Sequence, residues 1–246
     1  MLKKILILDL ILLLMLGLVG VLYKIGVITF DKAEAPEPIA EEEVTVEEEE
    51  TLNLPPEVDE TEWSLILANP WNEIPEGYFE DVDIVSTEDG WEVDSRIKEP
   101  LEKMMADCRE AGYNPQIISA FRTRGFQQSL YDSTANKNDT AYPGTSEHEL
   151  GLALDIIDAA SAGWGDPLVK EQEDTEAQKW LMDNCQNYGF ILRYPADKED
   201  ITGIIYEPWH YRYVGEEHAK KITESGQCLE EYLGRIENDK EKIGSE

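Results

Sequence analysis

The sequence predicts an α+β fold: a small, mainly antiparallel sheet flanked by helices. Three observations predict it. Short apolar runs compatible with strands gather in the second half of the chain, at 152–157, 189–193 and 201–206. Segments with apolar residues at helical spacing lie on either side of them. No period of roughly 20–50 residues recurs, which excludes repeat architectures. The 246 residues suit one or two domains, and the 41% apolar fraction supports a packed core.

At the N-terminus, Lys3 and Lys4 precede "ILILDLILLLMLGLVGVLY", residues 5–23. This is close to the roughly 20 apolar residues that a bilayer-crossing helix needs, and it is read as a membrane span. The basic pair before it and the acidic bulk after it place residues 1–4 in the cytoplasm and the rest outside. A cleaved signal peptide is the rival reading, but Gly17 and Gly20 make no A-x-A-like cleavage site and no Cys follows to accept a lipid. Asp9 lies only a turn or so past Lys4, close enough to reach the interface and escape the cost of a carboxylate in hydrocarbon.

Residues 24–62 are expected to form an acidic stalk. Residues 31–62 hold fourteen acids against one Lys, with four Pro and no aromatic. Like-charge repulsion and scarce apolar side chains keep such a segment extended. The texture changes at Trp63, where aromatics, aliphatics and turn residues mix, so the folded domain is expected over 63–233, with a charged tail over 234–246.

Within the domain, "RIKEPLEKMMADCREAG" places Ile97, Leu101, Met104, Met105 and Cys108 on one helical face and stops at Gly112. "PQIISAF" reads as a buried strand. "RGFQQSLYDSTAN", "TEAQKWLMDNCQNYG" and "GEEHAKKITESG" read as helices, the second closed by Gly189. Leu152–Ile157, Gly189–Arg193 and Ile201–Tyr206 are the further strand candidates.

Composition excludes some function classes. With 21 Lys plus Arg against 53 Asp plus Glu, the formal charge of −32 is incompatible with general nucleic-acid binding, which rests on cationic neutralisation of phosphates. Cys108, Cys185 and Cys228 are too widely spaced for a local metal knuckle. One disulfide plus a free thiol, or three buried thiols, are both compatible with an external location.

The chemistry concentrates in two stretches. "GTSEHELGLALDI" holds His148 and, with six residues between them, Asp155 inside an apolar run; "IIYEPWHYRYVG" holds Glu207 three residues before His210. His148, Asp155 and His210 supply two imidazoles and a carboxylate, a ligand set suited to catalytic zinc with an open fourth position. Glu207 is the spare acid beside the last ligand, placed to take a proton from a water. Either pair alone is more often a salt bridge or a capped turn. The economy of placement separates them from those: two of the three histidines of the chain fall here, each beside an acid in an apolar run where an unpaired charge is costly. His218, in the acidic helix "GEEHAKK", reads as an ordinary surface residue.

"SEHELGLALDI" matches S-x-H-x-x-G-x-A-x-D, and "EPWH" matches E-x-W-H, the motifs of the VanY-like zinc D-alanyl-D-alanine carboxypeptidases, which this chain resembles. "ISAFRTRGFQQSLY" is similar to that family's S-x-[FY]-R-[ST] segment with a Gln five residues after the Arg. "LANPWNEIPEGY", "YGFILRYP" and "EPWHYRYVG" extend the resemblance over roughly residues 63–218.

The resemblance implies a Hedgehog/DD-peptidase-like fold, zinc on His148, Asp155 and His210, and Glu207 as general base. It further implies that Arg122 polarises the scissile carbonyl and stabilises the oxyanion, as a planar cationic fork can. Ser146 and Gln127 are expected to bind the substrate's terminal carboxylate or adjacent amide, and Tyr194 to wall the substrate site. Trp209 is expected to pack beside its neighbouring ligand. Gly151 is read as allowing close backbone approach near the metal.

The implied activity is removal of the C-terminal D-Ala from peptidoglycan stem peptides or their precursors. It would be carried out by a monomeric, single-pass membrane protein whose catalytic domain is extracytoplasmic. An L,D-carboxypeptidase or a wall endopeptidase would use the same metal centre. A wall-peptide binding module would have lost a ligand or the base, and none is missing.

Overall fold

The computed structural model describes residues 59, 62–135, 140–237 and 240–244. They belong to one compact unit, Leu52–Glu246. The expected membrane span, 5–23, and nearly all of the expected stalk lie outside the described residues. Among the described residues no helix is long and apolar enough to cross a bilayer.

An antiparallel hairpin of β1 (Ile84–Ser86) and β2 (Glu92–Asp94) leads into α1 (Lys98–Glu110). β3 (Pro115–Ser119), α2 (Arg124–Ser133), β4 (Ala153–Asp158), α3 (Glu176–Asn184) and β5 (Phe190–Leu192) follow. α4 (Glu199–Thr202), β6 (His210–Tyr213), α5 (Glu216–Ser225) and α6 (Leu229–Tyr232) complete the order. The main sheet runs β3-β4-β6-β5, every neighbouring pair antiparallel.

Local chemistry explains the helices. In α1, Leu101, Met104, Met105 and Cys108 recur at helical spacing and are all buried. The Thr123 hydroxyl accepts the Phe126 amide at the start of α2, and Thr175 does the same for the Gln178 amide at the start of α3.

The two faces of the sheet have different work. Ile117, Leu154, Ile156, Phe190 and Tyr211 pack in one apolar cluster with α1 and with Leu181 of α3. Each such buried side chain contributes about 1.5–3 kcal/mol, enough to seat the sheet firmly on its helices. Because strand side chains alternate, Asp155, His210 and Arg212 point to the opposite face. There Ile191 joins a second apolar cluster with Leu65, Val214, Ile222 and Leu229. Polar residues are therefore held on a sheet whose other face is locked.

One expectation is corrected and two are made more specific. Ile201–Tyr206 is not a strand: Glu199 and Asp200 open the short helix α4, Gly203 closes it at φ +72°, and the strand is formed later by His210–Tyr213. Acids favour a helix N-terminus and a left-handed glycine favours its end, and these signals outweigh the apolar run. Within the segment expected as a charged tail, the described residues 240–244 are docked: the Ile243 amide donates to Pro70 O at 2.8 Å and Trp71 Nε1 to Lys240 O at 2.9 Å. The three cysteines, left open between two arrangements, are free buried thiols. Burial pushes Cys108 up to about 11 and Cys185 and Cys228 up to about 12, which leaves them inert.

Candidate metal centre

Strand register brings the first pair of site residues together. Asp155 of β4 lies directly opposite His210 of β6, and on its other side it faces Ser119 of β3. His148 comes from a single 3-10 turn, Glu147–Leu150, which precedes β4 and ends at Gly151 with φ +74°. A Cβ at Gly151 would sit 3.0 Å from the Asp94 amide nitrogen and 3.0 Å from Ile84 Cδ1. The glycine is thus required by the turn and by the β1–β2 hairpin packed on it, and not by the metal as expected from sequence.

The donor atoms of His148, Asp155 and His210 lie within 4.8 Å of one another, and all three residues are buried. His148 Nε2 is 3.3 Å from Asp155 Oδ2, and His210 Nδ1 is 3.2 Å from Asp155 Oδ1. Two donors of a tetrahedral zinc are about 3.4 Å apart for bonds of roughly 2.1 Å, so each imidazole already stands at ligand spacing from the Asp155 carboxylate, and the donor set suits the ion.

The outer ring nitrogens fix which atoms face inward. His148 Nδ1 is 2.8 Å from Ala120 O, and a carbonyl can only accept, so Nδ1 carries the proton and Nε2 offers its lone pair. His210 Nε2 is 3.4 Å from Glu147 Oε2, which leaves Nδ1 for the metal.

Glu147 was not singled out in the sequence, nor were its partners. Its Oε1 accepts from Arg193 Nε at 2.7 Å and from Arg212 Nη1 at 2.9 Å. Arg193 in turn forks onto Glu230 of α6, at 2.8 and 2.6 Å. All four side chains are fully buried. Burial alone would raise the Glu147 carboxyl, but the Arg193 and Arg212 guanidiniums outweigh it and hold it well below the usual carboxylate range. The overlooked signal is an arginine inside each of two strand-like runs, "FILRYP" and "HYRY", facing a glutamate in a buried turn.

A cavity of about 390 Å³ opens onto the three donors, and Arg122, Ser146, Tyr194, Glu207 and Trp209 share its walls. Glu207 Oε2 is 3.6 Å from His210 Nδ1. Although the Glu207 side chain keeps 20% exposure through the cavity mouth, burial pushes it up to about 7, with His210 opposing and Asp155 reinforcing. That value suits a group that must both take and return a proton near neutral pH.

Arg122 Nη2 donates to Ser119 Oγ at 2.7 Å and to Asp155 Oδ2 at 3.0 Å. Its Nη1 donates to Gln127 Oε1 at 3.3 Å. Gln127, expected to touch substrate, is wholly buried, and its Nε2 donates to Ala141 O at 2.8 Å. With both ends of its amide engaged, it orients Arg122. The Tyr194 ring leans on the His210 ring at a 47° tilt with centroids 4.8 Å apart, and burial raises its phenol well above the ordinary value. His218 is no plain surface residue: Nδ1 lies 2.8 Å from the Tyr232 hydroxyl and Nε2 3.1 Å from Glu62 Oε2.

Comparison with known proteins gives a consistent set of likenesses. The family model described as VanY, D-alanyl-D-alanine carboxypeptidase, matches residues 90–216. A D-alanyl-D-alanine carboxypeptidase of Enterococcus faecalis is 42% identical over 191 residues, covering 71% of this chain and 67% of that protein. Among solved structures, a variant of the vancomycin resistance D,D-pentapeptidase VanY from a VanB-type cassette, in complex with Zn(II), is 41% identical with a TM-score of 0.60, covering 70% of this chain and 99% of that one. The L,D-carboxypeptidase LdcB is 34% identical with a TM-score of 0.62, covering 70% of this chain and 86% of that one.

Proposed function

We propose, on the premise that this chain belongs to the VanY family of D-alanyl-D-alanine carboxypeptidases, that it is a zinc carboxypeptidase removing the terminal D-Ala from peptidoglycan stem peptides or their precursors. The observation that carries the reading is the convergence of His148, Asp155 and His210 at the floor of a cavity whose wall holds Glu207. Zinc, when bound there, supplies Lewis acidity to the attacking water and to the scissile carbonyl.

The residues of the chain do the rest. The Glu207 carboxylate takes the proton of the attacking water and delivers it to the leaving amine. Arg122, aligned by Ser119 and Gln127, presents its guanidinium to the oxygen on which charge develops. Ser146 donates its hydroxyl to the substrate's terminal carboxylate, and Tyr194 closes the wall beside His210. Residues 5–23 anchor the protein in the cell membrane, and the acidic stalk carries a monomeric domain outward to the wall. The apolar run after Lys3 and Lys4 and the charge repulsion of 31–62 support this placement.

The test is to incubate the purified chain with pentapeptide and tetrapeptide stems and identify products by mass. Loss of one D-Ala from the pentapeptide alone is expected. Cleavage of the tetrapeptide instead would favour the L,D-carboxypeptidase reading that the likeness to LdcB supports.

A further inference from the structure

The docked segment 240–244 does more than cover apolar surface. It ties together three separate parts of the chain: Ile243 N and Trp71 Nε1 bond it to 70–71, Lys242 Nζ donates to Gly203 O at 2.7 Å, and the Tyr131 hydroxyl donates to Gly244 O at 3.3 Å. Gly244, at φ +77°, lies so close to the Tyr142 ring that no Cβ could be accommodated. Gly203, at φ +72°, is likewise flush with Pro70 and Trp71, 2.7 Å from the Trp71 ring at its would-be Cβ. These contacts leave a recess of about 100 Å³ walled by Pro70, Tyr131, Tyr142 and Ile243. Thr140, Ala141 and Ile204 line both this recess and the catalytic cavity, so the two are adjoining.

From this we infer that segment 240–244 forms one wall of an extended substrate subsite. This inference rests on the carboxypeptidase reading. The substrate of a carboxypeptidase ends at its terminal carboxylate, so a second recess adjoining the catalytic cavity is placed to receive the part on the N-terminal side of the scissile bond. Pro70, Tyr131, Tyr142, Ile204 and Ile243 give the recess aromatic and aliphatic walls, with Thr140, Thr145 and Lys242 at its polar positions. It therefore takes the aliphatic stem of the residue that precedes the terminal dipeptide, and the segment sets how strongly a longer peptide is preferred to a bare acylated D-Ala-D-Ala.

The experiment compares kcat/KM for N-acetyl-D-Ala-D-Ala and for an N-acetyl tripeptide with norleucine before the same dipeptide. It uses the full chain, a chain ending at residue 239, and Ile243→Ser, which keeps the backbone bond to Pro70 and guards against misfolding of the truncated form. The full chain is expected to prefer the tripeptide by about tenfold, the effect of removing roughly 50 Å² of apolar surface from water, with the preference carried by KM. Both variants are expected to lose most of that preference. A full chain that cleaves the two peptides equally, or variants that keep the preference, would overturn the subsite while leaving the carboxypeptidase reading intact. A full chain that releases D-Ala from neither peptide would overturn both.

Discussion

Replacing Glu147 by Gln perturbs the metal centre without touching a metal ligand. Glu147 is the anion that two buried guanidiniums share, and its second oxygen faces His210 Nε2 at 3.4 Å. The amide removes one negative charge from a cluster of two arginines and two glutamates, and leaves Arg193 with Glu230 and Arg212 with only the backbone carbonyls of Ser64, Ile66 and Tyr213. Breaking one partner of a buried ionic set typically costs about 3–5 kcal/mol, a large share of the roughly 5–15 kcal/mol by which a domain is stable. The amide also weakens the grip on His210 Nε2–H, and loss of such an orienting carboxylate lowers metal affinity roughly 10- to 100-fold.

Urea unfolding of the metal-free protein reads the first effect, and zinc titration against a competing chelator reads the second. The sign with pH is fixed as well: a carboxyl held below its ordinary range stabilises the fold above the unfolded value, near ~4.3, and loses that contribution only as pH falls further. The gap between wild type and Glu147→Gln should therefore persist from neutral pH down to about that value and close below it. A variant within about 1 kcal/mol of wild type, with unchanged zinc affinity, would refute the assignment of this network as the support of His210.

Other outcomes follow from the same geometry. Glu207→Gln should retain full zinc content, measured by elemental analysis, while D-Ala release falls by roughly 10²- to 10⁴-fold; loss of zinc along with activity would make Glu207 a ligand. Arg122→Lys should fold normally by circular dichroism and lose much of kcat, because a point charge cannot hold Ser119, Gln127 and Asp155 while also meeting an oxyanion. In the metal-free protein His210 is pushed up to about 9, with burial opposing and the Asp155 and Glu147 carboxylates prevailing, so zinc must expel a proton from it below that pH. Apparent zinc affinity should then rise about tenfold per pH unit between roughly pH 7 and 9, and a flat profile in a pH-controlled titration would contradict it.

The catalytic residue types were legible in the chain because metal chemistry needs particular donors, and few histidines were available to supply them. His148, Asp155, His210 and Glu207 stood out through composition and motif alone, and the helices through spacing and terminal glycines. The strand at His210–Tyr213 was not legible. Its apolar pattern is no stronger than that of Ile201–Tyr206, and only the presence of β4 and β5 on either side decides which run can satisfy its backbone hydrogen bonds.

Side-chain patterns along the sequence determined by themselves the fold class, the donor set and the spare acid. The tertiary structure alone decided that Gln127 faces inward to Arg122, that Glu147 and two arginines steady His210, and that 240–244 closes against 70–71 and 203. The reason is that donors are chosen by residue type, which a sequence displays. Partnership between residues such as Glu147 and Arg212, separated by 65 positions, depends on strand register and burial, which exist only once the chain has folded.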